Sequence, residues 1–389
     1  MHDRVSPPFQ PGQSIELEVT DIAFGGEGVA RVEDFVVFVP FVIPGERVKA
    51  RVKEVKKSFA RADLEEVLKP SHWRREAECA YFGECGGCQY QHIAYERQLE
   101  IKHQQVSEIF KRIGNMGEAT IAPVVPCPRE FGYRNRIMVR SHWNGREKRL
   151  EIGFVRHDNN WVVPVEECKI AEKEISDQIP DIHRNPPPKG GIKVVLRKRP
   201  ENWVVPGDSF FQNNFFMLPS LIGSVAERLS DNGSRFLIDA FCGVGFFALE
   251  LASRVESFVG VEFDRPAIKA ARENMANRGI SNGDFVAGAT QDLLGSLLKR
   301  FPANDSTVVL DPPRKGCFPQ AIEALRRARP SQIIYVSCHP ATLARDLKLL
   351  CADDVYQLRH VTPLDMFPQT AHVECVADLR LVSADGPDS

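Results

Sequence analysis

The sequence has no long apolar run, no surplus of one charge and no internal repeat, and each absence removes a class of protein. Its longest apolar stretch, Phe236 to Ala252, is interrupted by Asp239 and Glu250. That is short for a membrane span and reads as strand, Gly turn and helix. The segment Met1 to Gln13 is polar and Pro-rich, without the apolar core of a secretory leader. A cytoplasmic monomer with no membrane partner is therefore expected. Lys and Arg number 50 against 52 Asp and Glu, so any nucleic-acid surface must be local rather than global. Cysteine, by contrast, is not scarce: there are 10. In a reducing compartment, close Cys spacings point to metal or catalysis more than to disulfides.

At 389 residues the chain is long for one core and divides by texture into three expected domains. Residues 10–69 alternate in short apolar runs broken by Gly and Pro, such as Val36-Val37-Phe38-Val39 after Gly25-Gly26-Glu27-Gly28. This pattern predicts a small five-stranded β-barrel. Within it, Arg47, Lys49, Arg51 and Lys53 alternate and so share one strand face. A one-sided basic strand suits a phosphate backbone. Residues 70–205 hold close-set cysteines, a helix over about residues 92–113, and then strands around Ile137, Gly153, Trp161 and Lys193. Two further basic groups lie there, Arg134 with Arg136 and Arg197-Lys198-Arg199, and Asn185 to Gly191 reads as a loop. Residues 206–383 alternate apolar strands with helices, the signature of a doubly wound, Rossmann-like α/β sheet. The segments Tyr356 to Thr362 and Val373 to Val382 read as an antiparallel pair at its edge.

Three stretches of that last domain carry chemistry. Asp239-Ala240-Phe241-Cys242-Gly243-Val244-Gly245 follows the first strand and opens a helix, and Glu262 ends the next strand, where such folds bind a ribose. A pyrophosphate would be repelled by Asp239. The sulfonium and ammonium of S-adenosylmethionine suit an acidic loop better, so methyl transfer is favoured over hydride transfer. Asp311-Pro312-Pro313-Arg314-Lys315-Gly316 and Ser337-Cys338-His339-Pro340 each follow a strand directly, at the carboxyl ends where open sheets bind ligands. A cysteine there is a candidate nucleophile. If the acceptor is carbon 5 of a uracil, a thiolate must first add to carbon 6 to make carbon 5 nucleophilic. A separate base must then remove the carbon-5 proton. Glu374 is the candidate base.

Together with Phe210-Phe211-Gln212-Asn213-Asn214 and Asp365-Met366-Phe367-Pro368 through Glu374, these stretches resemble the RNA 5-methyluridine methyltransferases of the TrmA/RlmC/RlmD family. The resemblance covers nearly the whole chain. It implies Cys338 as nucleophile, Glu374 as base, and Gln212, Asp239, Phe241, Gly243, Gly245, Glu262 and Asp311 around the cofactor or target base. It also implies a TRAM-type RNA-binding barrel at the N-terminus. RNA is the expected partner, with ribosomal RNA favoured over transfer RNA.

Cys79-x5-Cys85-x2-Cys88, with Cys168 as fourth thiol, forms a ligand set. Its spacing alone accepts zinc or iron–sulfur; the resemblance implies a 4Fe–4S cluster in a β-rich central domain. The chain departs from the family at Phe246, where Asn is usual, and at Ala289 and Thr290, where a polar residue often meets the adenine. Its stretch between Cys168 and Gln212 is also short.

Overall fold

A computed structural model describes residues 8–33, 35–116, 120–186 and 193–382. The chain forms two compact units. The first comprises residues up to Gln105, Arg129–Arg197 and Phe367–His372; the second comprises Val106–Pro128, Lys198–Met366 and the chain from Val373.

The first unit opens with a closed barrel of five strands: β1 (Ser14–Ile22), β2 (Glu27–Val32), β3 (Phe35–Pro40), β4 (Arg47–Val55) and β5 (Phe59–Lys69), in the order β1-β2-β3-β5-β4. Period-two alternation explains it. Along β4, Val48, Ala50 and Val52 are buried while Arg47, Lys49, Arg51 and Lys53 are exposed. The helix expected over residues 92–113 is α1 (Tyr95–Ile109), followed by a wider turn over Phe110–Gly114; the division between units falls within α1. Four more strands make a separate antiparallel sheet: β6 (Arg136–Asn144), β7 (Arg149–Val155), β8 (Val162–Pro164) and β9 (Lys193–Arg197), in the order β8-β7-β6-β9. Its inner face packs Ile137, Val139, Ile152, Val163 and Leu196 against the short helices α2 (Lys173–Ser176) and α3 (Ile179–Arg184) through Ile175 and Ile179. Of the expected loop Asn185 to Gly191, the part from Pro187 lies outside the described residues.

The second unit is a seven-stranded sheet in the order β12-β11-β10-β13-β14-β16-β15. Its strands are β10 (Phe236–Ala240), β11 (Ser257–Glu262), β12 (Gly283–Ala287), β13 (Ser306–Leu310), β14 (Gln332–Ser337), β15 (Tyr356–Leu364) and β16 (Glu374–Leu381). The first five run parallel. Every residue of β13 and β14 is buried, as expected of strands covered on both faces. The helices are α4 (Leu218–Asn232), α5 (Phe246–Leu251), α6 (Arg265–Asn277), α7 (Thr290–Leu297), α8 (Pro319–Ala328) and α9 (Pro340–Leu350). The expected antiparallel pair of β15 and β16 is present. However, β16 inserts between β14 and β15, so only β15 is an edge. Among the described residues no helix is long and apolar enough to cross a membrane.

Candidate active site

The strand order reverses between β10 and β13, so a crevice opens at their carboxyl ends. Asp239 lies in β10, Glu262 ends β11, and Asp311 follows β13. The turn after β10 is shaped by backbone dihedrals few residues adopt: Phe241, Gly243 and Gly245 have φ of 67°, 55° and 87°. A Cβ on Gly245 would also lie 2.7 Å from the Phe285 ring, so this glycine is required twice over. Asn274 of α6 braces the turn by donating to the Val244 carbonyl at 3.2 Å.

Asp239 is fully buried. Its Oδ2 accepts a bond from the Ala248 amide at 2.9 Å, while Oδ1 has no partner. Burial, with Asp311 and Glu262 adding, pushes its carboxyl up to about 7. Asp311 is likewise pushed up to about 7 by burial and Glu262, and Gln212 donates to its Oδ2 at 3.3 Å. Glu262 turns back on the chain, accepting from the amides of Gly243 at 3.1 Å and Phe263 at 2.7 Å. Three carboxyls thus converge, and a buried carboxylate oxygen stays orphaned. A cation fits such a site and an anion does not. The donor set suits S-adenosylmethionine, with its positive sulfonium and ammonium.

Cys338 follows β14, and Glu374 opens β16. Antiparallel pairing sets Ser337 opposite Cys375. The beginning of one strand is thereby brought beside the end of the other, and Cys338 and Glu374 become neighbours. Burial, then Glu374, pushes the Cys338 thiol up to about 11, while Arg314 hydrogen-bonds the sulfur and pulls the other way. Glu374 is fully enclosed; burial and Asp311 raise its carboxyl far above the usual range, again opposed by Arg314. The loop bearing Arg314 is pinned to α9, the helix that starts just after Cys338. Thr342 donates to the Arg314 carbonyl at 3.1 Å, Arg345 to the Lys315 carbonyl at 2.9 Å, and the Cys317 amide to Asp346 at 2.8 Å. The sequence motifs name this loop without showing what it does; in the structure Arg314 opposes the shifts of both Cys338 and Glu374.

The departures from the family pattern have a packing account at one position. Phe246 is buried among Trp203, Phe211 and Phe247, with ring centroids 5.7, 5.5 and 5.2 Å away. The Arg278 guanidinium lies 3.9 Å from the Trp203 ring, so an aromatic cluster stands where a polar side chain was expected. Thr290 is buried at the start of α7. Asn214 closes the Phe210-Phe211-Gln212-Asn213-Asn214 motif. It is fully buried, accepts from the Phe216 amide at 3.1 Å and donates to the Met366 carbonyl at 3.1 Å. Those bonds fix the segment that carries Gln212.

In the first unit, Cys79, Cys85, Cys88 and Cys168 line one cavity of about 210 Å3. All 10 cysteines are free of disulfides. The loop carrying the first three is tied to the end of β7 by the Gly86 amide on Val155 and the His157 amide on Glu84, both at 2.9 Å. The Cys168 amide donates to Ser176 Oγ at 2.8 Å. Burial, with Cys168 and Cys79 adding, pushes Cys85 up to about 11 against a bond from the Gly87 amide. Cys88 and Cys168 are also raised by burial. Among the described residues no three His, Cys, Asp or Glu side chains close on a single metal ion.

The parallel sheet, its acidic crevice and the strand-end cysteine define a class I S-adenosylmethionine-dependent methyltransferase. Comparison with known proteins narrows the class. Residues 194–381 match the profile of the tRNA (uracil-5-)-methyltransferase family, and residues 8–64 match the TRAM domain. An RNA methyltransferase of Synechocystis is 30% identical, covering 97% of this chain and 98% of its own. The tRNA (uracil(54)-C(5))-methyltransferase of Schizosaccharomyces pombe is 30% identical over 96% of this chain and 80% of its own. Among solved structures, the Pyrococcus abyssi tRNA (uracil-54, C5)-methyltransferase in complex with S-adenosyl-L-homocysteine superposes with a TM-score of 0.71 at 25% identity, covering 94% of this chain and all of that one. The chain belongs to the RNA uracil-5 methyltransferase family and is an S-adenosylmethionine-dependent enzyme with an N-terminal TRAM barrel.

Proposed function

We propose that Cys338 adds to carbon 6 of a uridine in RNA and that Glu374 removes the carbon-5 proton after methylation. The observation that carries this reading is the β14–β16 register, which sets the two side chains beside one another with Arg314 as their shared counter-charge. Bound S-adenosylmethionine supplies an electrophilic methyl group. Asp239, Gln212, Glu262 and Asp311 hold the cofactor and target base, with Phe241, Gly243 and Gly245 shaping the loop. The Cys338 thiol gives its proton to solvent, and Arg314, donating to the sulfur, stabilises the thiolate that attacks carbon 6. Carbon 5 of the resulting enolate takes the methyl group, and S-adenosylhomocysteine is left behind. Glu374, once it has given up its own proton to solvent, is a stronger base than an exposed carboxylate and takes the carbon-5 proton. The carbon–sulfur bond then breaks and the thiolate leaves.

The cysteine cavity supports a second element of the proposal, a resident 4Fe–4S cluster on Cys79, Cys85, Cys88 and Cys168. A single zinc ion needs its thiolates about 3.8 Å apart at Zn–S bonds of about 2.3 Å. A cubane would take one thiolate at each of its four irons, so the four cysteines would hold it together. Backbone amides directed at Cys85 and Cys168 are the donors that cluster sulfurs accept. The cluster's role is structural, fixing the fold of this β-rich domain.

Ribosomal RNA is the substrate that the sequence reading favours, on the strength of the barrel and the cysteine set. The S. pombe and P. abyssi relatives are named for uracil 54 of tRNA, which supports transfer RNA. One experiment assigns both target and mechanism. Wild type, Cys338→Ala and Glu374→Gln are incubated with S-adenosylmethionine and 5-fluorouridine-containing ribosomal or transfer RNA, then digested for mass spectrometry. The expected product is a Cys338 peptide bearing a methylated fluorouridine, absent in Cys338→Ala. No adduct with either RNA, from protein that binds the cofactor, would refute the mechanism.

A further inference from the structure

The cations that the sequence places on the barrel are largely neutralised. On β4, Arg47 pairs with Glu16 at 2.5 Å, Arg51 pairs with Glu65, and Lys53 lies 3.7 Å from both Asp63 and Asp158. On β5, Arg61 pairs with Glu27 at 3.0 Å, and Lys49 stands opposite Glu16 in the β1–β4 register. Between residues 10 and 69, eleven acidic residues outnumber nine basic ones. The expected basic strand exists, but its field is cancelled by its neighbours.

The four-stranded sheet of the same unit is different. Pairing of β6 with β9 sets Arg136 opposite Arg197, Met138 opposite Val195, and Arg140 opposite Lys193. Ile137 and Val139, one residue out of phase, point into the core, so these three rungs share the outer face. Met138 and Val195 are 37% and 39% exposed, and Arg140 and Lys193 are exposed as well. None of Arg136, Arg140 and Lys193 has an ion-pair partner among the described residues. Like charges directly opposite one another weaken strand pairing, so the exposed Arg140–Lys193 rung is not explained by folding. Further along the same face of β6, the His142 ring lies 5.3 Å from Trp161, itself 49% exposed.

We propose that this outer face, rather than β4 of the barrel, is the main phosphate grip of the protein, and that a single-stranded stretch of the RNA substrate docks on it. Phosphates meet the rungs Arg136–Arg197 and Arg140–Lys193. Bases lie against the Met138–Val195 rung and the Trp161–His142 pair, since stacking on exposed apolar and aromatic side chains is indifferent to base identity. The inference rests on the reading of the enzyme as RNA-directed.

The test compares two double charge reversals in the full-length protein, Arg140→Glu with Lys193→Glu on the sheet and Lys49→Glu with Arg51→Glu on the barrel. Binding of a single-stranded uridine-rich RNA and of transfer RNA is titrated between about 50 and 200 mM salt; S-adenosylhomocysteine affinity reports the fold. The sheet variant is expected to bind RNA at least tenfold more weakly, with the slope of log K against log salt reduced by about 1.4. The barrel variant should change less than threefold, and Arg140→Lys with Lys193→Arg should restore binding. RNA affinity and slope unchanged in the sheet variant would overturn the proposal. A sheet variant that keeps RNA affinity but alters sedimentation would give the face to a second copy of the chain, and would overturn it too. Failure of the underlying reading looks different: wild type would form no fluorouridine adduct with any RNA.

Discussion

Two regions of this chain bury thiols, in opposite surroundings. In the first unit, Cys85, Cys88 and Cys168 are raised by burial and by neighbouring thiols, with backbone amides, Gln91 and Arg134 opposing. In the second, Cys338 faces Glu374 and Asp311, with Arg314 opposing. Several thiolates in one cavity repel each other strongly, and only a multiply charged partner held permanently would ionise them all. One thiol among carboxyls with a single guanidinium is a different device. In the proposed role of nucleophile, such a thiol is protonated at rest and ionises when cationic charge gathers. Burial alone does not separate a ligand cysteine from a reactive one; the sign of the neighbours does.

The largest effect that tests this contrast is a pair of alanine substitutions. Cys338→Ala should lower single-turnover methylation by about 10^4-fold or more and leave iron content and melting temperature near wild type. Cys168→Ala should do the reverse: iron is lost and the melting temperature falls, while S-adenosylhomocysteine still binds. Iron analysis, calorimetry and rapid-quench methylation read the four outcomes. Methylation within tenfold of wild type in Cys338→Ala would collapse the distinction. A smaller effect tests the counter-charge. Arg314→Met should slow iodoacetamide alkylation of Cys338 at pH 8 by about tenfold, as expected if the thiol rises by a further unit. An unchanged rate would mean that Arg314 does not stabilise the thiolate.

The smallest effect is a pH dependence. Burial lifts Asp239 and Asp311 from 3.8 to about 7. The folded apoenzyme therefore holds protons that the unfolded chain has already lost. Their contribution to stability is full below about pH 4 and is lost as pH rises through about 7. A cationic ligand binds the ionised carboxylates and recovers that loss. S-adenosylmethionine affinity should thus strengthen several-fold between pH 6 and pH 8, with proton release measurable by calorimetry in two buffers. S-adenosylhomocysteine, lacking the sulfonium charge, should change less. Equal slopes for the two ligands would refute the electrostatic reading of the crevice.

The sequence shows some of these features and hides others, for physical reasons. Gly243 and Gly245 were legible because left-handed backbone demands a residue without Cβ. Asp239, Asp311 and Cys338 were legible because strand ends in a parallel sheet have a fixed geometric meaning. The five barrel strands followed from alternation, and so did the exposed row on β4. What alternation cannot show is which strands become neighbours. The carboxylates that cancel that row arrive from β1, β5 and the turn after β7, and the cationic rungs on the sheet need β6 beside β9. Arg314 was hidden for the same reason, since its importance lies in facing groups about 24 and 60 residues further along the chain. Phe246 was legible as a departure from pattern, but its aromatic neighbours Trp203 and Phe211 were not.

One consequence of the β16 insertion concerns how the site can change over evolutionary time. Glu374 is the first residue of an antiparallel strand, and its position beside Cys338 is set by a ladder of backbone bonds running the length of β14. Loops elsewhere can lengthen or shrink without disturbing that ladder. Loss or gain of one residue within β16 cannot, because a shift by one would exchange Glu374 for Cys375 and turn every side chain of the strand to the opposite face. The proposed nucleophile and base are therefore locked in phase, and point substitution is the one kind of change by which this strand can vary and keep both in place.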